Sequence, residues 1–171
     1  MHLKPALFLI VLANPAWATC GGYERTFLNC EVVKSAKMLS VCHDDEVASY
    51  RFGPYMGTPE LELTENIATL DYTPWPGAGD TIWEDVTFSN EGYTYTVSAA
   101  IKRIIPEGSE PLVGVTHFGG VTVRRGDEVI ADLNCETETI HMDFMSSLSL
   151  AKNRLGYVWN VDDQGWVELP D

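Results

Sequence analysis

Alternation of apolar and polar residues dominates this chain and predicts strands along most of its length. In the first half, four short segments either alternate strictly or are rich in β-branched and aromatic residues, and polar or small residues separate them. These segments are Glu24–Val33, Ala36–His43, Glu46–Gly53 and Glu60–Thr64. We therefore expect four strands before the Pro- and Gly-rich segment 72–80.

The clearest hairpin lies around the turn sequence Ser-Asn-Glu-Gly at positions 89–92. Apolar residues alternate on both sides of this turn, and pairing them across it places Phe88 opposite Tyr93 and Val86 opposite Tyr95. This pairing gathers the large apolar side chains on one face of the hairpin, so we expect that face to be buried.

A second hairpin precedes Cys135, and its pattern decides how many residues the loop contains. A two-residue turn would oppose Val121 to Asp132 and bury a charge, whereas a three-residue loop at Gly126-Asp127-Glu128 opposes Val121 to Leu133. The pattern therefore predicts the three-residue loop and places Cys135 on the inner face.

One segment near the C-terminus has helical periodicity. Apolar residues recur on one face of Ser146–Leu155, either Ser146 or Ser147 can cap its first turn, and Gly156 can end it. A last hairpin is predicted at Gly156–Leu169. Many short strands and a single helix indicate an all-β protein, an antiparallel barrel or sandwich with one short helix near the C-terminus.

The first residues have the layout of a cleaved secretory signal. Lys4 supplies a positive charge, Ala6–Ala13 is an apolar run, and Ala16-Trp17-Ala18 offers small residues before a cut at Thr19. The run is too short to span a bilayer as a helix. We predict a signal peptide at 1–18, one exported β-rich domain at 19–171, no transmembrane segment, and a periplasmic or secreted location.

Four cysteines follow the predicted cleavage site: Cys20, Cys30, Cys42 and Cys135. An even number of cysteines in an exported chain indicates two disulfides, for which three pairings exist. Zinc is the competing interpretation, but no pair has the C-x2-C spacing of a structural zinc site. Lipidation of Cys20 is a further alternative, although the residues before it match a lipobox poorly.

Acidic residues outnumber basic ones, and the formal net charge is −14. Nucleic acid is therefore excluded as a partner, because phosphate binding needs a basic surface. The charge would attract a basic protein over about a Debye length, and it also serves the simpler purpose of keeping an exported protein soluble.

No catalytic motif stands out. The acidic run that follows His43, at positions 44–46, is either a polar turn or a site for a hard cation, and the spacing favours the turn. His117 and His141 lack a metal-ligand spacing, and no serine lies in a nucleophile elbow. We therefore expect a protein without metal, cofactor or catalytic residues, and the alternative is a small hydrolase that uses scattered histidine and carboxylate groups.

Aromatic residues offer a possible binding surface. The tryptophans and two tyrosines that could stack on a sugar are Trp75, Trp83, Trp159, Trp166, Tyr93 and Tyr95. Aromatic residues at strand spacing more often belong to the core. Trp75 is the exception because it lies in a Pro/Gly loop, where a large apolar side chain has less structural purpose.

Residues 28–135 resemble a group of small exported proteobacterial proteins of unassigned function. The resemblance rests on Tyr-Arg-Phe-Gly at 50–53, Glu-Leu-Glu-Leu at 60–63, the segment 88–97, and Gly119–Cys135. It covers most of the predicted mature domain and implies export without implying an activity.

The chain is also similar to the periplasmic and membrane-bound inhibitors of c-type lysozyme, which are exported β-barrels. Their inhibitory loop, Ser-Gly-Ser-Gly-Ala-Arg-Tyr, is matched by Ser89, Gly92 and Tyr95, and the segment that begins at Arg125 is similar to their Lys-Gly-Asp-Glu-Ala. The loop departs from the family at Glu91, whose carboxylate would be repelled by the acidic pair of a lysozyme cleft.

This second resemblance implies a non-catalytic inhibitor of a basic, lysozyme-type cell-wall hydrolase, bound in part through Ser89 and Tyr95. Together with the aromatic and basic side chains of Trp75 and Arg125, these are the predicted binding residues. The alternatives are the small hydrolase already named and a structural envelope protein whose partner is another exported chain.

Overall fold

The computed structural model describes residues 18–104, 114–143 and 147–170. The predicted signal peptide, apart from Ala18, lies outside these ranges, as does the candidate cap Ser146. Within them, eleven strands and a short helix follow one another, and the strands form three antiparallel sheets. The predicted all-β class is confirmed.

The first sheet contains four strands in chain order, β1 (Arg25–Glu31), β2 (Lys37–His43), β3 (Val47–Pro54) and β4 (Leu61–Asn66). All four predicted segments are therefore strands, with ends that differ by a few residues. Burial alternates along β4, and one face of the sheet carries a buried row that includes Leu28, Val41 and Tyr50.

The segment 19–24 covers the outer face of the first sheet at β2 and β3. A disulfide joins Cys20 to Cys42 of β2. Arg51 of β3 donates to both carboxylate oxygens of Glu24 at 2.9 Å, and to the Thr19 carbonyl. This cover explains why Cys42 is buried on the face of the sheet opposite the core.

The second sheet contains five strands, β5 (Asp71–Thr73), β6 (Thr81–Asn90), β7 (Tyr93–Ile104), β8 (Gly114–Arg125) and β9 (Glu128–Asn134). Burial alternates strictly along most of β6, where Val86 and Phe88 are inaccessible and their neighbours are partly exposed. This period of two is typical of a sheet that packs on a core with one face and meets water with the other.

The inner faces of the two sheets pack together as a sandwich. Tyr50 of the first sheet contacts Phe88 and Tyr95 of the second, with ring centroids 5.9 and 5.5 Å apart. A disulfide between Cys30 and Cys135 joins the sheets at one side. The sheets do not close into a barrel within the described ranges, so of the two predicted architectures the sandwich is the one that fits.

The C-terminal part closes one end of the sandwich. Helix α1 (Ser147–Arg154) is followed by a hairpin of β10 (Tyr157–Asn160) and β11 (Gly165–Glu168). Gly156 has a φ of +88° and ends the helix as predicted. Leu155, in contrast, is exposed, because the helix ends one residue before it.

The first predicted hairpin has the right faces and the wrong register. Phe88 lies opposite Tyr95 rather than Tyr93, because the turn contains two residues instead of four. Its central residues, Glu91 and Gly92, have φ values of +50° and +81°, the left-handed conformation that two-residue hairpin turns require.

In the second hairpin, Val121 lies opposite Leu133, as predicted, and the next inward pair is Val123 and Ala131. The three-residue loop is wrong, however, because the turn again has two central residues between Arg125 and Glu128. The extra residue is a β-bulge in β9 that follows the pair of Arg124 and Val129. The alternation of apolar residues indicated that the hairpin contains one extra residue, but it did not indicate whether that residue lies in the turn or in a strand.

Candidate ligand-binding face

The outer face of the second sheet carries a shallow groove of about 420 Å³. Its centre is Gly120 of β8, which pairs with Ser98 of β7 on one side and with Asn134 of β9 on the other. Gly120 has no side chain and Ser98 has a short one, so the surface is depressed between larger neighbours. We call this depression the Gly120 groove.

Close packing of two backbones makes glycine necessary at the centre of the groove. A Cβ atom built on Gly120 would clash with the carbonyl oxygen of Leu133 in β9. Any side chain at this position would therefore push the two strands apart, so the depression follows from the way in which β8 and β9 approach each other.

Polar side chains line one side of the groove. Thr122, Asp132, Asn134 and Thr137 supply hydroxyl, carboxylate and amide groups, and the Thr122 hydroxyl donates to an Asp132 oxygen at 3.3 Å. Asp132, Asn134 and Thr137 are exposed. Donors and acceptors of this kind fix the orientation of a polar ligand in a binding pocket.

An aromatic ring forms the other side of the groove. Phe118 occupies an outward position of β8 and is 48% exposed, whereas Val86 and Phe88 of the same sheet face inward and are buried. Across the sheet, Phe118 pairs with Ala100, and Ala100 pairs with the partly exposed Trp83 of β6. Two aromatic side chains therefore flank a small residue in one row.

The cross-strand row next to these aromatic side chains contains a partly buried carboxylate, that of Asp85. Asp85 of β6 lies opposite Ser98 of β7. Partial burial raises the pKa of Asp85, and the hydrogen bond from Ser98 opposes that rise. The carboxylates of Asp132 in the groove and Asp85 beside it disfavour an anionic ligand.

The four predicted binding residues do not form one surface. Ser89 is exposed on the outer face, whereas Tyr95 points inward and contacts Tyr50, so the two motif residues lie on opposite faces of the sheet. Arg125 lies over the ring of Tyr93, with its guanidinium carbon 5.3 Å from the centroid. These contacts give Tyr95 and Arg125 packing roles at the predicted positions.

Trp75 follows β5 in the expected loop and is half-buried. Its indole N–H donates to the carbonyl of Ala78 at 3.0 Å, which fixes the ring within its own loop. Trp159 and Trp166 contact each other beneath the C-terminal hairpin, and Trp166 stacks on Tyr72. Of the six aromatic residues considered as a sugar-stacking set, Trp83 is the one on the outer face of the second sheet beside the groove.

The sequence did contain a signal for the groove. Phe118 directly precedes the predicted hairpin strand and has the same phase as Gly120 and Thr122, which is the polar phase of that strand. Trp83 likewise has the phase of Asp85 and Thr87. Large apolar residues at positions where the strand pattern is otherwise polar therefore mark this surface in the sequence.

Elsewhere in the protein, a buried histidine and a buried serine are hydrogen-bonded to each other. The Nδ1 atom of His43 contacts the Asp44 carbonyl at 2.8 Å, so it carries the proton and Nε2 accepts from the Ser147 hydroxyl at 2.9 Å. Burial lowers the pKa of His43 and keeps the ring neutral. Both side chains are buried, so this pair connects β2 to α1.

The acidic run after β2 is a turn, as the spacing favoured. One carboxylate oxygen of Asp44 accepts from the backbone N–H groups of Glu46 and Val47, both at 2.7 Å. These hydrogen bonds lower the pKa of Asp44. In the described part of the chain, no group of three or more His, Cys, Asp or Glu side chains is arranged to hold a metal ion.

The two disulfides fit a protein that folds outside the cytoplasm. None of the helices in the described ranges has the length and apolar content to cross a membrane. No protein-family model, curated protein or solved structure matches this chain.

Proposed function

We propose that this protein is a non-catalytic binding protein that acts outside the cytoplasm and holds a carbohydrate in the Gly120 groove. The observation that carries the proposal is an exposed ring, Phe118, beside a floor without large side chains and a polar rim. Sugars present apolar C–H faces together with hydroxyl groups. The ring of Phe118 can pack against such a face, and the polar side chains of the groove can bind the hydroxyl groups.

A solvated sheet face explains the threonines and serines of this surface but not its aromatic ring. A Phe at an outward position, half exposed, costs solubility and contributes little to packing. The two nearby carboxylates, Asp85 and Asp132, further support a neutral rather than an anionic sugar. Removal of a signal peptide at 1–18 would place the mature domain in the periplasm or outside the cell.

Calorimetric titration with soluble neutral oligomers of glucose, mannose and N-acetylglucosamine tests this proposal. We expect at least one sugar to bind, and Phe118→Ala to weaken that binding about tenfold, or about 1.4 kcal/mol. Tyr55→Ala is the matched control, because Tyr55 is 53% exposed in the turn after β3, outside the outer face of the second sheet. Binding by none of the sugars, or an equal loss in both variants, would contradict the proposal.

The surplus of acidic residues supports a second candidate, a basic lysozyme-type hydrolase as protein partner. This interaction would be electrostatic, so inhibition of lysis by the oxidised domain 19–171 should appear at low salt and fade at physiological salt. Ser89→Ala should weaken it, since Ser89 is exposed. A lysozyme that remains fully active at low salt would rule this candidate out.

A further inference from the structure

Beyond the Gly120 groove, the outer face of the second sheet offers a second place for a sugar ring. Trp83 of β6 lies two strands from Phe118, with Ala100 of β7 between them in the same row. Neighbouring strands are about 4.8 Å apart, so the two aromatic residues are separated by roughly 10 Å along the sheet. This distance accommodates more than one linked sugar ring.

The surface between the two aromatic residues is free of large side chains. Ala100 and Ser98 are the β7 residues that lie between Trp83 and Asp85 on one strand and Phe118 and Gly120 on the other. A chain of sugar rings that runs across the strands would therefore meet no obstacle between the groove and β6.

Polar groups accompany the aromatic residues at both ends of this path. Asp85 lies beside Trp83 on β6, two residues along the strand, and opposite Ser98 of the floor. Asn134 provides an amide at the other end, in the same cross-strand row. Each end thus has an aromatic side chain and a hydrogen-bonding side chain.

The charges on the path favour a neutral chain. The basic side chains of this face lie at its margins, where Lys102 is 3.9 Å from an oxygen of Asp80 and Arg124 donates to the carbonyl of Asp127. The carboxylates of Asp85 and Asp132 remain along the path itself. Uronic acid or sulfated chains would meet net repulsion there.

We propose that the ligand is a neutral oligosaccharide chain that occupies two subsites, one in the Gly120 groove against Phe118 and one on β6 against Trp83 and Asp85. This inference rests on the proposed carbohydrate-binding function. It adds that the protein recognises a stretch of chain that lies across strands β6 to β9 rather than a single sugar or a chain end.

Chain length and the Trp83 side chain test the second subsite together. Using the sugar that binds best in the panel, we expect its hexamer to bind about tenfold more tightly than its dimer. Trp83→Ala should remove most of that advantage and leave dimer binding unchanged, whereas Trp83→Phe, which retains a ring, should restore at least part of it.

Two outcomes separate this inference from the proposed function. Equal affinities for dimer and hexamer, or no effect of Trp83→Ala on the hexamer while Phe118→Ala weakens both, would overturn the second subsite and leave the groove intact. Binding of none of the sugars would overturn both. If Trp83→Ala does not fold, Asp85→Asn, which preserves side-chain shape, should reduce the hexamer's advantage by a few-fold.

Discussion

At the scale of single residues, His43 determines how stability depends on pH just below neutrality. The ring is 1% exposed, and its pKa is lowered from 6.5, mainly by burial. The unfolded chain therefore takes up a proton at a higher pH than the folded one, and folding free energy is lost as pH falls below about 6.5.

Replacing His43 by Gln tests this dependence. Gln can keep a hydrogen bond to Ser147 but does not titrate, so urea denaturation between pH 7 and 5 should show a smaller loss of stability in His43→Gln than in the unmodified protein. The difference is at most about 1.4 kcal/mol per pH unit. Measurements stay above pH 5 because Glu24 and Asp44, whose pKa values are lowered, destabilise the fold when they become protonated at lower pH.

The matched control is His141→Gln, since His141 is exposed and its side chain is not part of the core. This variant should keep the pH dependence of the unmodified protein. A His43→Gln variant with the same slope as the unmodified protein would show that His43 is not responsible for it.

At the scale of secondary-structure elements, the alternating pattern predicted which side chains face inward but not the register of the first hairpin. Side chains in a strand repeat every two residues, so a shift of two positions, as at Phe88 and Tyr95, leaves every residue on the same face. Turn chemistry decides between such registers. Glu91-Gly92 alone forms the turn, whereas the predicted four-residue turn also included Ser89 and Asn90, which belong to the strand.

The candidate site was less predictable than the strands, for a related reason. The sequence shows Phe118 as an apolar residue at a position where the strand pattern is otherwise polar. The depression beside it, however, depends on how closely Leu133 of β9 approaches Gly120 of the neighbouring strand β8. The cover on the first sheet is likewise a tertiary feature, because Glu24 and Arg51 are far apart in the sequence. Short-range patterns contain neither kind of information.

At the scale of the whole molecule, the two outer faces of the sandwich differ in accessibility. The segment 19–24 covers the first sheet at β2 and β3 and is joined to it by Cys20–Cys42, whereas the outer face of the second sheet carries the groove. The other disulfide, Cys30–Cys135, connects the sheets, and Cys135 also lines the groove. The two bridges therefore have different consequences for binding.

Removing each disulfide separately tests this difference. The bridges span 105 and 22 residues, so in the chain-entropy description Cys30→Ser/Cys135→Ser should cost about 1.4 kcal/mol more unfolding free energy than Cys20→Ser/Cys42→Ser. Loss of the longer bridge should also weaken sugar binding, because it releases β1 from the wall of the groove, while loss of the shorter one should leave binding intact. Denaturant titration and calorimetry give both quantities on the same samples. Equal costs would contradict the stability argument, and unchanged binding without Cys30–Cys135 would show that the groove keeps its shape independently of the bridge between the sheets.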